Sequence, residues 1–313
     1  MDFSPPFWQF NGHLQTIYPS FFRKIALPYE RERLELPDGD FLDLDWVKTG
    51  SKKLHIATHG LEGDSTRHYV TGMISAFNRH GFDGLGWNSR SCSGEINRLP
   101  RFYHHGDAED LRYVLEYAIS LDYEEIVLTG FSMGGSLTLR LLAEFPEKLP
   151  KEVKGALVTS VPLDLKSSVD ELDKPGKRFY MRRFIKKLAV KIEAKSKMFP
   201  DHPNLRFDGY QKEIKNFYDF DNRYTAPLHG YKDAIDFYRI ASTKPILKNI
   251  NVPTTIIQAL NDPFLGKECY ELTADTPQFV ELLTPNQGGH VGFMQKGNDL
   301  SFAEAYAIAT LSK

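Results

Sequence analysis

EEIVLTGFSMGGSLTLRLLAEF, residues 124–145, spells out a strand, a turn and a helix in sequence. The apolar, β-branched run at 126–129 predicts a buried strand. Leu137, Leu141 and Leu142 recur at helical spacing and predict a helix over 136–145. Between the two lies Gly130-Phe131-Ser132-Met133-Gly134, a G-x-S-x-G. Held between strand and helix, that pattern is the context of a nucleophile elbow, a turn too tight for side chains at its flanking positions. Gly135 adds room for the helix to pack against the strand. Ser132 is thereby thrust out at a helix N-terminus, where the Met133 N–H and the helix dipole face any oxyanion.

A serine so exposed needs a base, an acid and a second oxyanion donor. Residues 33–36 and 41–47 alternate around Pro37-Asp38-Gly39-Asp40 and predict a hairpin. A third strand, 54–58, runs straight into His59-Gly60-Leu61-Glu62-Gly63. A Gly-rich turn at that point is where such enzymes place the second oxyanion donor, and Leu61 N–H is the candidate. His59 there reads as an orienting residue and not as the base. Further on, helices are predicted at 66–80 and 107–117, and strands at 82–87 and 153–160. This alternation predicts a mostly parallel sheet with helices on both faces. Cys92, in the loop after the 82–87 strand, reads as a buried, inert thiol. His104-His105-Gly106-Asp107 lacks the second cluster that a metal site requires, so no metal is expected.

Residues 163–240 break the pattern. They hold no convincing strand, and between 174 and 197 ten Lys/Arg stand against one acid, Glu193. Met181, Phe184, Ile185, Leu188 and Ile192 supply an apolar stripe at helical spacing. An inserted helical cap over the C-terminal edge of the sheet is predicted, above the place where α/β ligand sites lie. Its basic face, including Lys186, Lys187 and Lys191, reads as solvated or, more sharply, as a contact for anionic lipid head groups. Strand character returns at 254–260 and 279–283, and a helix at 301–311 closes the chain. The expected organisation is an irregular arm at 1–30, a core of 31–162 with 241–313, and a cap at 163–240.

Asp262 follows the 254–260 strand, and His290 follows the last strand on Gln287-Gly288-Gly289, a loop expected to be flexible. Ser132, Asp262, His290 is the chain order of the α/β-hydrolase arrangement. Asn261, beside the acid, is an amide, and Asp164 and Asp170, early in the cap, are less well placed for the role. The triad chemistry assigns Ser132 as nucleophile, His290 as base and Asp262 as the group that holds the imidazole tautomer, with Leu61 and Met133 N–H as oxyanion donors.

Composition is compatible. A hydrophobic content of 41% with 26% charged residues suits an ordinary folded protein with a large core. A net charge of −2 gives no general case for nucleic acid, and the basic stretch has no groove-reading or base-stacking motif beside it. Two cysteines cannot build a disulfide framework. The first residues lack a signal-like apolar core, and no apolar run reaches the ~20 residues of a membrane span, so a cytoplasmic protein is expected.

The sequence resembles the YheT-like branch of the α/β-hydrolase superfamily over almost its whole length. The likeness rests on Asn11-Gly12-His13-Leu14-Gln15-Thr16-Ile17, on the 59–63 turn, on Cys92-Ser93-Gly94-Glu95 with Asn97-Arg98, and on Tyr103-His104 with Gly106-Asp107. It continues through the elbow to Asp221, Gly230-Tyr231, Asp236, Tyr238, Ser242, Ile250, Pro253 and Asn261-Asp262. Phe237 replaces the usual Leu or Tyr, and Ser91 stands where Gly often precedes the cysteine; neither touches the triad. The resemblance implies a serine carboxylic-ester hydrolase with no cofactor or metal, acting on short- to medium-chain acyl esters, monoacylglycerols or phospholipids. An alcohol acyltransferase would share the same acyl-enzyme, and a catalytically silent ligand-binding module would share the fold.

Overall fold

The computed structural model describes residues 3–312; Met1 and Asp2 of the expected arm, and Lys313, lie outside them. The alternation around Asp38 closes as predicted into a hairpin of β1 (Glu30–Glu35) and β2 (Phe41–Val47). Six further strands follow: β3 (Lys53–Thr58), β4 (Asp83–Asn88), β5 (Glu125–Phe131), β6 (Val153–Thr159), β7 (Thr254–Ile257) and β8 (Val280–Leu283). The sheet runs β1-β2-β4-β3-β5-β6-β7-β8, antiparallel through the first three strands and parallel from β4 onward.

Alternation along β5 shows why both faces of the sheet are covered. Ile126 and Leu128 pack towards Leu115 of α3 (Glu109–Ser120) and Leu137 and Leu141 of α4 (Met133–Glu144). Val127 and Phe131 point the other way, onto Val70 and Phe77 of α2 (His68–Asn78) and Phe302 of α11 (Phe302–Leu311). A strand buried on both faces reads as a continuous apolar run, which is what 126–129 is. After β3 the chain steps to β4 on one side, and β5 then lies on the other. The crevice at that reversal, beyond the strand C-termini, is where the turn after β3 and the turn after β5 meet.

The segment between β6 and β7 carries helices and no strand: α5 (Leu165–Leu172), α6 (Arg178–Met198), the short α7 (Tyr210–Glu213), α8 (Phe217–Phe220) and α9 (Ala226–Leu228), then α10 (Ala234–Ala241). Met181, Ile185 and Ile192 of α6 join Phe217, Phe220 and Tyr224 in a separate apolar cluster above the sheet.

Two expectations are corrected here. Residues 1–30 are not all irregular: α1 (Gly12–Phe22) is a helix whose first turn is capped by Asn11, its side chain accepting from Leu14 N at 2.9 Å. The basic face of α6 is not uniformly solvated either. Lys195 is fully buried and donates to the Asn97 carbonyl at 2.8 Å. Lys191 pairs with Glu62 at 2.7 Å, and Lys187 donates to the Glu62 carbonyl at 3.0 Å. Long lysine stems let the helix lay apolar carbon on the cluster while each ammonium reaches a polar group of the core. Arg182 and Lys186 remain exposed.

Candidate active site

At the end of β5 the chain turns sharply into α4, and Ser132 takes the strain of that turn, with φ 54° and ψ −120°. Such a conformation is costly for a non-glycine residue and persists only where the surroundings over-determine it. They do: Ser132 N–H donates to the Thr159 carbonyl at 2.9 Å, and α4 packs so tightly on the end of β3 that a Cβ at Gly134 would collide with the Thr58 and His59 carbonyls. Met133 opens α4, so its N–H is among those with no intrahelical acceptor.

The turn after β3 lies against the elbow. A Cβ at Gly60 would sit 3.1 Å from the Ser132 Cβ. His59 braces this turn as anticipated. Its Nε2 accepts from Ser89 N–H at 3.0 Å, so the proton is on Nδ1, which donates to the Gly60 carbonyl at 2.7 Å. Burial holds His59 down at about 4, and it stays neutral. Glu62, at φ 54°, closes the turn, and its carboxylate receives Tyr103 Oη at 2.5 Å as well as Lys191.

Asp262 and His290 are both buried and meet at 2.9 Å from Oδ2 to Nδ1. The other carboxylate oxygen accepts from Phe264 N–H at 2.8 Å, which fixes the acid. The His290 ring stacks on Phe264 with centroids 4.0 Å apart. Ser132, His290 and Leu61 together line one cavity with side chains of the helical segment between β6 and β7. Asp164 is elsewhere, capping α5 by accepting from Ser167 N–H at 2.7 Å, and Asp170 pairs with Lys166 on the surface.

The histidine loop, read from its glycines as flexible, is tied to its surroundings by several hydrogen bonds. Gln15, buried inside α1, spans the gap from the N-terminal segment to both loops: its Oε1 accepts from Asn261 Nδ2 at 2.9 Å and from Gly288 N–H at 2.7 Å, and its Nε2 donates to the Gln9 carbonyl at 2.6 Å and to Gln287 at 2.8 Å. Thr16 Oγ1 accepts from His290 N–H at 2.8 Å, and Asn261 Oδ1 from Gly289 N–H at 3.0 Å. Gly12 permits this approach, since a Cβ there would collide with the Asn261 carbonyl. The stretch 11–16 thus holds the acid and histidine loops in register. Only the family likeness drew attention to it in the sequence. His13 itself is structural, bonded to Tyr180 Oη at 3.0 Å.

Cys92 lies beside Lys191, 3.2 Å from Nζ to Sγ, a neighbour invisible in the sequence. Cys92 is half-buried and not fully buried as expected, but desolvation still pushes its thiol up. His104, buried, and His105, half-buried, stand in the cavity wall, His104 against His229 with centroids 4.2 Å apart, and desolvation holds both rings below the ordinary histidine value.

Residues 56–297 match the family model described as the alpha/beta hydrolase fold. YheT of Escherichia coli K12 is 35% identical over 91% of this chain and 84% of its own length. The human protein named Phospholipase ABHD3 is 26% identical over 93% and 73%, and the Saccharomyces cerevisiae protein named Monoacylglycerol lipase is 25% identical over 91% and 74%. Among solved structures, a Pyrococcus furiosus esterase, Pf2001, superposes with a TM-score of 0.54 at 18% identity, covering 87% of both chains. Mouse alpha/beta hydrolase domain-containing protein 10 does so at 0.57 and 15%, covering 90% of this chain and 97% of its own. With the elbow, the sheet order and these likenesses in agreement, the chain belongs to the alpha/beta hydrolase family, in its YheT-like branch.

Proposed function

We propose that the protein hydrolyses carboxylic esters of short- to medium-chain acids or monoacylglycerol-like lipids through Ser132, His290 and Asp262. The observation that carries this reading is the strained Ser132 sharing a cavity with a histidine bonded to a buried carboxylate. His290 takes the Ser132 proton as Oγ attacks the acyl carbon; Asp262 keeps the proton of Nδ1 in place and stabilises the imidazolium. Leu61 and Met133 N–H groups receive the oxyanion, each worth about 2.7–4 kcal/mol in a comparable site. The imidazolium then protonates the departing alcohol, and water, activated by the same histidine, releases the acid.

The acyl chain has an apolar channel to occupy. Leu165, Val169, Leu188, Ile192, Phe217 and Phe220 line it beside Ser132, all contributed by the helical segment. Residues 163–240 act as the cap over a core of 31–162 and 241–313, and Arg182 and Lys186, exposed on α6, would carry any contact with anionic lipid. No described helix is long and apolar enough to cross a membrane. Cys92 and Cys269 are free thiols, which suits a reducing cytoplasm.

The test is intact-mass analysis after exposure to a fluorophosphonate. One adduct on the wild type and none on Ser132→Ala is expected. A folded wild type that takes no adduct would overturn the nucleophile assignment.

A further inference from the structure

The space around Ser132 is divided. The apolar channel under the cap is one lobe. A second lobe, on the side of α1, shares Leu61, Ser132, Phe184, Phe264 and His290 with the first but differs in its remaining walls, which include Arg67, Arg183 and Lys187. An ester bound at the serine extends in two directions, the acyl chain one way and the alcohol the other. Given the esterase reading on which this assignment rests, the apolar lobe takes the chain and the cationic lobe takes the alcohol.

The charges in the second lobe are poorly compensated. Its one carboxylate, Glu62, is engaged by Lys191 at 2.7 Å and by Tyr103 at 2.5 Å. Arg67 has only Asp64, 3.9 Å away, and donates to the Glu62 carbonyl at 2.9 Å. Lys187 donates to that same carbonyl, and Arg183 lies 5.5 Å over the Phe21 ring; among the described residues neither has an ion-pair partner. Burial first, then Arg67 and Arg183, hold the Lys187 ammonium below its ordinary value, with Glu62 opposing, as a crowd of like charges short of counterions would.

The geometry points to an anion-binding subsite, formed by Arg67, Arg183 and Lys187, for a phosphate monoester carried on the alcohol part of the substrate. Two guanidinium groups and an ammonium around one recess match the tetrahedral, multiply charged phosphoryl group better than a neutral hydroxyl. In the reaction the Ser132 Oγ–acyl bond forms and the carboxylic ester C–O bond breaks. The proton on His290 goes to the alcohol oxygen, water later supplies the acid oxygen, and the phosphate ester is untouched. The subsite would select phosphorylated acylglycerols over their neutral counterparts.

Binding to Ser132→Ala separates this inference from turnover. Calorimetric titration with octanoylglycerol phosphate and with octanoylglycerol should show the phosphate ester bound more tightly by about tenfold or more, the worth of one charge-assisted hydrogen bond. Adding Arg183→Gln and Lys187→Gln should bring that ratio close to one, with thermal melting used to verify the fold. If the double change fails to fold, Arg183→Gln alone, at an exposed position, should still lower the ratio. Equal affinities in Ser132→Ala, or a ratio unmoved by the substitutions, would overturn the subsite. Wild-type turnover of either ester tests the esterase reading on its own: a binding preference without turnover would sink that reading and leave the subsite standing.

Discussion

Gln15 is the residue whose loss should reveal how the histidine loop is held. It is buried to 1% exposure and makes four hydrogen bonds, none of which leucine can replace. Of the partners, the Gln9 carbonyl and the Gly288 N–H are buried, whereas Gln287 is exposed and Asn261 partly so. Stranding a buried polar group costs about 1–3 kcal/mol, so Gln15→Leu should weaken the attachment of the loop by roughly 2–6 kcal/mol, the lower end applying if water enters. His290 follows Gly288 by two positions, and a shift of about 1 Å at a reacting group can cost ~100-fold in rate. Steady-state kinetics on a soluble nitrophenyl ester should therefore show kcat falling by roughly 10- to 100-fold with KM little changed. Gln15→Glu keeps the two acceptor contacts and loses the donors, so it should fall between wild type and leucine. If Gln15→Leu retains kcat within about threefold while urea unfolding shows the lost stability, α1 merely covers the loop and the positioning role is wrong.

Asp262→Asn should keep the fold but favour the wrong imidazole tautomer, lowering kcat on the same ester by ~10⁴-fold; a loss of less than about tenfold would remove Asp262 from the triad. Asp221, buried in the helical segment, receives Thr225 Oγ1 at 2.5 Å and Tyr238 Oη at 2.8 Å, yet burial outweighs both hydroxyls and pushes its carboxyl up to about 7. A carboxyl that holds its proton more tightly folded than unfolded stabilises fully below its unfolded value, and that contribution is lost as pH rises through the folded one. Melting temperature should consequently decline between about pH 4 and pH 7, and Asp221→Asn, which mimics the neutral acid, should flatten the decline; parallel profiles for the two proteins would refute the assignment.

The elbow and the turn after β3 were legible because each is local, whereas the proposed triad was legible only as an order of residue types along the chain. A few residues in a row state what the backbone must do at Gly130 to Gly134, and the chemistry of the triad restricts which acid and which histidine qualify. The role of α1 was not legible. Gln15 meets Gly288 across 273 positions and Asn261 across 246, and nothing in the neighbourhood of a glutamine announces such partners. Glycines before a histidine likewise suggest freedom, since sequence shows what a backbone can do and not what later pins it. Charge on a helix is ambiguous for the same reason: Lys187, Lys191 and Lys195 look like a solvated face until the helix is docked and their stems are seen to turn inward.

That inward turn ties α6 to the turn proposed to stabilise the oxyanion. Glu62 follows Leu61 directly and adopts a positive φ, so the direction of the Leu61 N–H depends on how Glu62 is held. Its backbone carbonyl receives Lys187 and Arg67, its carboxylate receives Lys191 and Tyr103, and its N–H donates to Tyr103 Oη at 3.0 Å. A buried ion pair adds little net stability over apolar packing, but breaking one partner leaves a charge stranded, at about 3–5 kcal/mol. Of the three α6 cations that line the two lobes, Arg183, Lys187 and Lys191, the two lysines also hold Glu62. The position of α6 over the cavity and the shape of the turn beside Ser132 are therefore held by the same ammonium groups.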